Sequence, residues 1–154
     1  NYHGQLGRTT DYESYKSLQK IESLSDIIRI EVGLNQSKCV DINGNLFFFG
    51  TNAMGSFGID LKEVREPTPS PTLHNVLDIS GGHSMLVKTS DNEIFASGDN
   101  RYLQLGKDTN SPYQKVPVRV LEGHEDIWCS NIFKPSKAKS ARSISKRPNK
   151  DISF

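Results

Sequence analysis

The sequence contains no long apolar run and little cysteine, and each lack argues against a class of protein. No stretch approaches the roughly 18 consecutive apolar residues that a membrane-spanning helix needs, so the sequence predicts no span. The two cysteines, Cys39 and Cys129, lie far apart without a Cys-x-x-Cys spacing. Such thiols are typical of a reducing compartment, and we therefore expect an intracellular protein, cytoplasmic or nuclear.

The sequence also lacks the motifs that commonly hold cofactors or carry catalysis. It has no glycine-rich phosphate loop followed by Lys-Ser/Thr, and its four histidines have no metal-ligand spacing. Gly82-His83-Ser84 begins like the nucleophile elbow of a hydrolase, but Leu86 stands where that motif requires its last glycine. The sequence therefore predicts no cofactor, no metal and no enzyme, and a hydrolase using Ser84 is the weakest of the alternatives.

Hydrophobic residues are scarce, at 34% of the 154 residues, and charge is unevenly distributed. Residues 134–154 contain seven basic residues and one acidic residue, whereas residues 1–133 contain twelve basic and seventeen acidic residues. We expect residues 131–154 to form a disordered basic tail, since they have almost no core-forming side chains. Such a tail could contact nucleic acid or act as a nuclear-localisation-like segment, and a merely solvated tail is the alternative.

What the sequence does contain is an internal repeat. Residues 43–58 and 91–106 share a pattern of glycine and asparagine at an offset of 48 residues, and residues 1–7 repeat its end at an offset of 51. Repeats of this length without a long amphipathic helix are typical of a β-propeller. The positions that define the repeat are Gly4, Gly7, Gly33, Gly44, Phe47, Gly50, Asn52, Gly55, Gly58, Gly81, His83, Phe95, Gly98, Asn100 and Gly106.

The residue types at these positions predict structural roles. We expect Phe47 and Phe95 to pack between neighbouring sheets, because aromatic rings bury a large apolar area. Gly50 and Gly98 should lie where a strand bends or where another backbone approaches too closely for a side chain. The asparagines two residues later suit the turn that follows, since asparagine bonds its own backbone and tolerates left-handed conformations.

Short β-branched segments separated by turn signals predict the strands. Asn43-Gly44 between two such segments predicts a hairpin with a type I′ turn. The proline-rich segment 66–71 predicts an extended outer connection, because proline cannot donate a ladder hydrogen bond. His83 lies fifteen residues before Gly98, one more than in the first unit, so we expect a longer turn or a bulge there.

These motifs resemble the repeats of the regulator of chromosome condensation family. That family's unit is similar to a Gly-x-x-His segment, an aromatic strand ending in glycine, an asparagine two residues later and a closing Gly-Gln-Leu-Gly. Gly4-Gln5-Leu6-Gly7 matches the closing tetrad in full, Gly55-Ser56-Phe57-Gly58 keeps both glycines, and Leu103-Gln104-Leu105-Gly106 lacks the first. Gln36 stands at the histidine position of the first unit.

The resemblance implies a propeller of antiparallel sheets, and the family's closed seven-bladed form needs well over twice this length. We therefore expect an all-β partial propeller, with about two complete blades plus partial ones, that is a fragment of a larger protein. The predicted propeller segment covers residues 1–130. It consists of a repeat remnant at 1–7, units at about 27–60 and 76–108, and a partial unit at 117–130.

Two functions follow from the resemblance. The first is a non-enzymatic protein-interaction module that contacts a partner through its loops, which are the variable parts of such a scaffold. The second is guanine-nucleotide exchange on a small GTPase such as Ran, as in the founding branch of the family. No residue of this sequence can be matched to the exchange loop or wedge, so the interaction module is our prediction and the exchange factor is the alternative.

Overall fold

The structure, a computed structural model, describes residues 1–9 and 16–122 and contains eight strands in that part of the chain. The strands form two antiparallel four-stranded sheets, β1-β2-β3-β4 and β5-β6-β7-β8. The described ranges contain no helix. The expected all-β partial propeller is confirmed, with each sheet forming one blade. The strands are β1 Ile27–Val32, β2 Gln36–Asp41, β3 Leu46–Thr51, β4 Glu63–Pro69, β5 Val76–Ser80, β6 Ser84–Thr89, β7 Glu93–Asp99 and β8 Tyr113–Glu122.

The two sheets pack against each other through a shared hydrophobic core. Val40 and Leu46 of the first sheet join Ile79, Met85 and Val87 of the second, and all five side chains are buried. Alternation along a strand places every second side chain on this face. Burying one such side chain contributes about 1.5–3 kcal/mol, so this core is the main attachment between the blades.

The two blades share one register in their central hairpins. Ser84 lies opposite Gly98 just as Gln36 lies opposite Gly50, and neither hairpin has a register shift. His83 therefore takes the place of the residue before Gln36. The longer turn or bulge that the sequence predicted at this point is wrong.

The difference between the blades lies in the turn before that hairpin. Strand register aligns Gly33 with Gly82 rather than with Gly81, so the sequence alignment is wrong there by one residue. Two residues follow Gly33 before its hairpin begins, whereas only His83 follows Gly82. The turn of the second blade is thus one residue shorter.

The hairpin turns differ from the predicted type I′ turn. Asn43 keeps a negative φ, whereas Gly44 has a φ of +80° and donates to the Asp41 carbonyl at 3.0 Å. The second blade repeats this turn, in which Asn92, with a φ of +61°, donates to the Thr89 carbonyl at 3.1 Å. A type I turn closed by one left-handed residue is a common three-residue hairpin loop, so the prediction of two left-handed residues is wrong.

The outer edge of each blade is a strand that the sequence pattern did not predict. Most of the proline-rich segment expected as a connection belongs to β4, the outer strand of the first sheet. Proline is tolerated there because one side of an edge strand makes no ladder bonds. Residues 117–122 likewise belong to β8 of the second sheet and do not start a new unit. Residues 123–130 of that expected unit, and the predicted tail at 131–154, lie outside the described residues.

Phe48, rather than Phe47, is the fully buried ring of the first blade. It stacks on Phe57, with ring centroids 4.6 Å apart and ring planes at 11°. Phe47 is half-buried and lies on the opposite face of β3, because neighbouring side chains alternate between faces. Phe95 is also half-buried but packs against the core between the sheets. Phe95 therefore packs between the two sheets, whereas packing of Phe47 between sheets stays a prediction, because the described residues place no second sheet over its face.

Candidate functional site

Three loops share one hydrogen-bonding pattern that starts from an asparagine, and we call them the asparagine loops: residues 1–8, 52–59 and 100–107. In each, the asparagine side-chain oxygen accepts a bond from the amide five residues later, and its NH₂ group donates to the carbonyl seven residues later. The amides belong to Leu6 (2.9 Å), Phe57 (2.9 Å) and Leu105 (3.1 Å), and the carbonyls to Arg8 (2.9 Å), Ile59 (2.9 Å) and Lys107 (3.0 Å).

Each asparagine loop has left-handed residues at its fourth and seventh positions. In the first two loops all four are glycines, with φ between +68° and +76°. In the third loop the seventh position is Gly106, but the fourth is Leu103, with a φ of +58°. A left-handed conformation costs a residue with a Cβ atom roughly 1–2 kcal/mol, so Leu103 is strained where its counterparts are not.

All three loops lie at one end of the two-blade structure. Loop 52–59 leads from β3 toward β4, and loop 100–107 leads from β7 toward β8, at equivalent ends of equivalent sheets. Loop 1–8 contacts the same end of the first sheet, where the Ser37 hydroxyl donates to the Gln5 carbonyl at 2.8 Å. His3 Nδ1 lies 2.9 Å from Glu63 Oε2 at the start of β4. The three loops therefore lie at the same end of the two sheets.

Glycines near the ends of β3 and β7 let a neighbouring backbone segment approach them closely beneath the loops. A Cβ atom on Gly50, at a φ of +104°, would lie 2.4 Å from the Asn35 carbonyl oxygen. A Cβ atom on Gly98, at a φ of +106°, would lie 2.3 Å from the His83 carbonyl oxygen. No side chain fits at such distances, so the same close approach supports the loops in both blades.

The tips of two asparagine loops expose large side chains. Tyr2 is 66% exposed, Tyr102 is 84% exposed and Leu103 is 59% exposed. The backbone amide of Tyr102 donates to the Gln104 side-chain oxygen at 2.9 Å, and the amide of His3 makes the same bond to Gln5 at 3.0 Å. The tips are thus held by their own loops while their side chains face solvent.

Arg101 fixes the base of the third loop through a two-point contact with Asp99. Its Nε and Nη2 atoms donate to the two carboxylate oxygens at 3.0 and 2.9 Å, and its guanidinium lies 5.6 Å from the ring centroid of Tyr113. These hydrogen bonds lower the pKa of Asp99, although burial of the carboxyl opposes the shift. The carboxylate therefore stays charged well into the acidic range.

Glu63 has a similar position beneath the first loop. Its carboxylate lies 2.9 Å from His3 Nδ1 and 2.7 Å from Arg65 Nη2. The hydrogen bond with His3 lowers the pKa of Glu63, burial opposes the shift, and Arg65 reinforces it. Lys115 of the second sheet pairs with Asp60 of the first at 2.8 Å, but this pair is exposed and adds little.

The buried contact between the blades depends on Lys38, a residue that the sequence analysis missed. Its side chain is 1% exposed, and its ammonium donates to the carbonyl oxygens of Gly81 (3.1 Å) and Gly82 (3.0 Å). The Phe57 ring centroid lies 5.9 Å from the same ammonium. The alternation of side chains along β2 could have revealed this burial, because Lys38 lies on the same inward face as Val40.

The remaining repeat positions lie at contacts between the blades or at turns. Gly44 meets the start of the second blade, where the Val76 amide donates to its carbonyl at 2.9 Å and a Cβ atom would lie 2.9 Å from that amide nitrogen. A Cβ atom on Gly33 would lie 3.3 Å from the Cα atom of Gly82. His83 is exposed at the neighbouring turn. The glycine positions therefore mark close backbone contacts more than they mark a ligand site.

The Ser84 hydroxyl is not arranged as a nucleophile. It is buried and donates to the backbone carbonyl of Asp99 at 2.8 Å, while the preceding His83 side chain is exposed. Within residues 1–9 and 16–122 no group of three His, Cys, Asp or Glu side chains is placed to hold a metal ion. In the same ranges, no helix is long and apolar enough to cross a membrane.

Comparison with curated proteins finds related segments inside larger chains, although no protein-family model matches. The probable E3 ubiquitin-protein ligase HERC6 of Homo sapiens is 33% identical over 129 residues, covering 78% of this chain and 12% of that protein. The kinase Nek9 of Mus musculus is 32% identical over 126 residues, covering 77% and 13%. The regulator of chromosome condensation of Xenopus laevis is 31% identical over 142 residues, covering 85% and 33%. The chain thus spans a third or less of each relative's length.

Solved structures share the fold at 21% sequence identity. Human WBSCR16 has a TM-score of 0.68, covering 79% of this chain and 33% of its own. Yeast RCC1 (Prp20) bound to Kap60 has a TM-score of 0.62, covering 71% and 26%. Prp20p of Saccharomyces cerevisiae, described with its binding properties to Gsp1p and histones, has a TM-score of 0.59, covering 77% and 32%. With two antiparallel blades, a repeated glycine and asparagine pattern and these relatives, the chain belongs to the regulator of chromosome condensation repeat family.

Proposed function

We propose that this chain is a non-enzymatic protein-interaction module whose partner contacts the tips of the asparagine loops. One observation carries the proposal: the backbone of each loop is fixed from within, while Tyr2, Tyr102 and Leu103 face solvent at the same end. A loop that is already ordered loses little entropy on binding, and tyrosine is enriched among residues that dominate interface energies.

The names of the relatives do not transfer a catalytic activity to this chain. HERC6 and Nek9 are named as a ligase and a kinase, but the matched segment is only 12 or 13% of each. The one serine that the sequence offered as a nucleophile, Ser84, is hydrogen-bonded to a backbone carbonyl and buried. Both facts support an interaction role.

Guanine-nucleotide exchange on a small GTPase is the second candidate. It is favoured by the similarity to the Xenopus regulator of chromosome condensation and to Prp20p, which was described with its binding to Gsp1p and histones. Release of labelled GDP from a panel of small GTPases, including Ran, tests it directly. Release at the intrinsic rate for every GTPase contradicts exchange and leaves the interaction module intact.

The compartment and the tail form a further part of the proposal. An intracellular location, cytoplasmic or nuclear, agrees with relatives named as regulators of chromosome condensation. The basic segment at 134–154, with seven basic residues and one acidic residue, would then contact nucleic acid or serve as a localisation signal. Deleting residues 134–154 and following the location of a fluorescent fusion separates these roles from an inert tail.

Binding assays with matched variants test the interaction face. Histones and proteins of the Gsp1p and Kap60 types are the first partners to assay by calorimetry, since they are described with Prp20p. We expect Tyr102→Ala to weaken binding at least about tenfold, as truncation of a hot-spot residue does. Ile42→Ala is the control, because Ile42 is 67% exposed in the turn at the other end of the sheet. Binding that is weakened by Ile42→Ala and not by Tyr102→Ala would contradict the proposed face.

A further inference from the structure

Three serine or threonine residues of the chain are followed directly by proline: Thr68, Ser70 and Ser111. A Ser/Thr-Pro dipeptide is the minimal motif that proline-directed protein kinases accept. The residue before a proline is also biased toward an extended backbone, which is the conformation in which a kinase binds its substrate segment. The three motifs are therefore candidate modification sites, and they differ in exposure and hydrogen bonding.

Thr68 and Ser70 are part of the packed first blade. Thr68 is half-buried in β4, where it pairs with Phe48 of β3. Ser70 is 7% exposed, and its amide donates to the Leu46 carbonyl at 2.7 Å. The Ser70 hydroxyl oxygen also accepts a bond from the Leu73 amide at 3.1 Å. A kinase could reach either residue only if this edge of the first sheet opened.

Ser111 lies in an exposed loop of the second blade that we call the outer loop: residues 108–112, which lead from the third asparagine loop to β8. No residue of the outer loop belongs to a strand. Four of its five residues are exposed: Asp108, Asn110, Ser111 and Pro112. The matching segment of the first blade is 60–62, so the outer loop has five residues where the first blade has three. The longer loop therefore presents a Ser-Pro motif outside the sheet.

The outer loop keeps the backbone anchor of the first blade, while the Ser111 hydroxyl stays at the surface. The Asn100 amide donates to the Pro112 carbonyl at 2.8 Å, just as the Asn52 amide donates to the Lys62 carbonyl at 2.7 Å. The Ser111 hydroxyl itself donates to the Tyr113 carbonyl at 2.8 Å in an exposed bond. Water can replace such a bond at little net cost. The hydroxyl is therefore accessible to a phosphoryl donor without opening of the sheet.

We propose that Ser111 is a phosphorylation site for a proline-directed serine/threonine kinase, and that Thr68 and Ser70 are not sites in the folded chain. In the reaction, the Ser111 Oγ atom forms a bond to the γ-phosphorus of ATP, and the bond from that phosphorus to the bridging β,γ-oxygen breaks. ADP leaves with that oxygen, and the hydroxyl proton passes to a carboxylate base of the kinase.

Phosphorylation would add charge beside the third asparagine loop. A phosphoserine carries about −1.5 to −2 charges at neutral pH. The outer loop is joined to Asn100 through the Pro112 carbonyl and through the Thr109 hydroxyl, which accepts from the Asn100 NH₂ group at 3.0 Å. A resulting change in partner binding would rest on the proposed function of the loop tips, whereas phosphorylation of Ser111 does not.

Incubation of the folded chain with a proline-directed kinase of the mitogen-activated class and Mg·ATP tests the site, with the phosphorylated residues mapped by mass spectrometry. We expect phosphorylation of Ser111 to be at least about tenfold faster than that of Thr68 or Ser70, because the sheet protects the other two. Synthetic peptides of residues 63–75 and 106–118 are the matched controls. They lack the sheet, so all three residues should accept phosphate in them. Pro112→Ala keeps the Ser111 hydroxyl and should abolish its phosphorylation.

Three results overturn the proposal. One is a folded chain without phosphate at Ser111, whether or not peptide 106–118 is phosphorylated. Another is phosphorylation of Thr68 or Ser70 in the folded chain at the rate of Ser111, because exposure would then not select the site. The third is phosphorylation that persists in the Pro112→Ala chain, since recognition would not depend on proline. The same substitution in peptide 106–118 tests this recognition independently of folding.

Discussion

Lys38 of the first blade donates to the backbone carbonyl of Gly82 in the second blade at 3.0 Å, and its ammonium is fully buried there. A lysine is rarely buried in this way unless several acceptors satisfy it. Here the carbonyl of Gly81 and the ring of Phe57 complete the surroundings. The two sheets also share an apolar core, and the Ser97 hydroxyl of the second sheet donates a buried bond to the Ser56 carbonyl in the loop of the first.

Replacing Lys38 by methionine should destabilise the protein by about 1–3 kcal/mol, because two buried carbonyl oxygens lose a donor while the side-chain volume is largely kept. Urea unfolding measures the change. Lys62→Met, at an exposed position, is the matched control and should stay within about 0.5 kcal/mol of the unmodified chain. A Lys38→Met chain of unchanged stability would show that the buried ammonium gains nothing over an apolar side chain.

Leu103→Gly should stabilise the protein by about 0.5–1 kcal/mol, since relief of left-handed strain exceeds the entropic cost of glycine. The side chain itself is 59% exposed and loses little packing. Leu103→Ala is the matched control, because it shortens the side chain and keeps the strain. The explanation fails if the alanine variant is as stable as the glycine variant in the same unfolding experiment.

Gly98→Ala should cost far more stability than Gly106→Ala, although both residues are left-handed. A Cβ atom on Gly106 meets nothing within 4 Å, so only about 1 kcal/mol of backbone strain is expected. On Gly98 it would lie 2.3 Å from the His83 carbonyl oxygen, and the strand must shift. Thermal unfolding of the two variants gives the comparison, and equal midpoints would contradict the close approach.

Asn52→Ala should destabilise the protein by about 2–4 kcal/mol, because the loop loses three hydrogen bonds at once. The Asn52 side chain accepts from the Phe57 amide and donates to the carbonyls of Ile59 (2.9 Å) and Leu61 (2.7 Å). Hydrogen exchange should show faster exchange of the Phe57 amide. Gln19→Ala, at an exposed position, is the control. A comparable loss of stability in that variant would contradict the stabilising role of the three Asn52 bonds.

Stability should fall as the pH is lowered from about 5 through 3, because Asp41 and Asp99 have lowered pKa values in the folded state. A carboxyl with a lowered folded pKa stabilises the fold above its unfolded pKa and loses that effect as the pH falls through the folded pKa. For Asp41, hydrogen bonds from Asn45 and Asn43 outweigh the opposing effect of burial on the pKa.

Asp99→Asn should flatten part of this acid dependence, since its contribution comes from the bonds to Arg101. Thermal midpoints measured between pH 3 and 7 give the slope for each chain. The exposed turn residue Asp91 supplies the control Asp91→Asn. If both variants show the slope of the unmodified chain, the lowered pKa of Asp99 does not contribute to acid unfolding.

Glycine and asparagine positions made the fold predictable from the sequence, because few residue types tolerate a left-handed backbone or a close approach. Gly50 shows this directly, since the nearby Asn35 carbonyl oxygen leaves no room for a Cβ atom. The outer strand β4 was not predictable from composition, because its prolines are excluded from a central strand and allowed at an edge. The choice between Phe47 and Phe48 depends on which face of β3 is covered, and three consecutive phenylalanines do not reveal that.

The candidate site was less predictable than the fold. The asparagines were expected to form a local turn, but the bonds from each asparagine to residues five and seven positions later are visible only in three dimensions. Lys38 was missed because a single lysine in a strand usually points to solvent. Lys38 is buried because the second blade covers it, and no local pattern around β2 describes that packing.

The asparagine loops separate the residues that specify a conformation from those that specify a surface. The second and third positions are Tyr2 and His3 in the first loop, Ala53 and Met54 in the second, and Arg101 and Tyr102 in the third. Their side chains take no part in the bonds that the leading asparagine makes. The bonds of the leading asparagine therefore do not depend on which side chains stand at these two positions, so successive repeats can present different side chains on one backbone frame, although Arg101 also binds Asp99 and His3 also contacts Glu63.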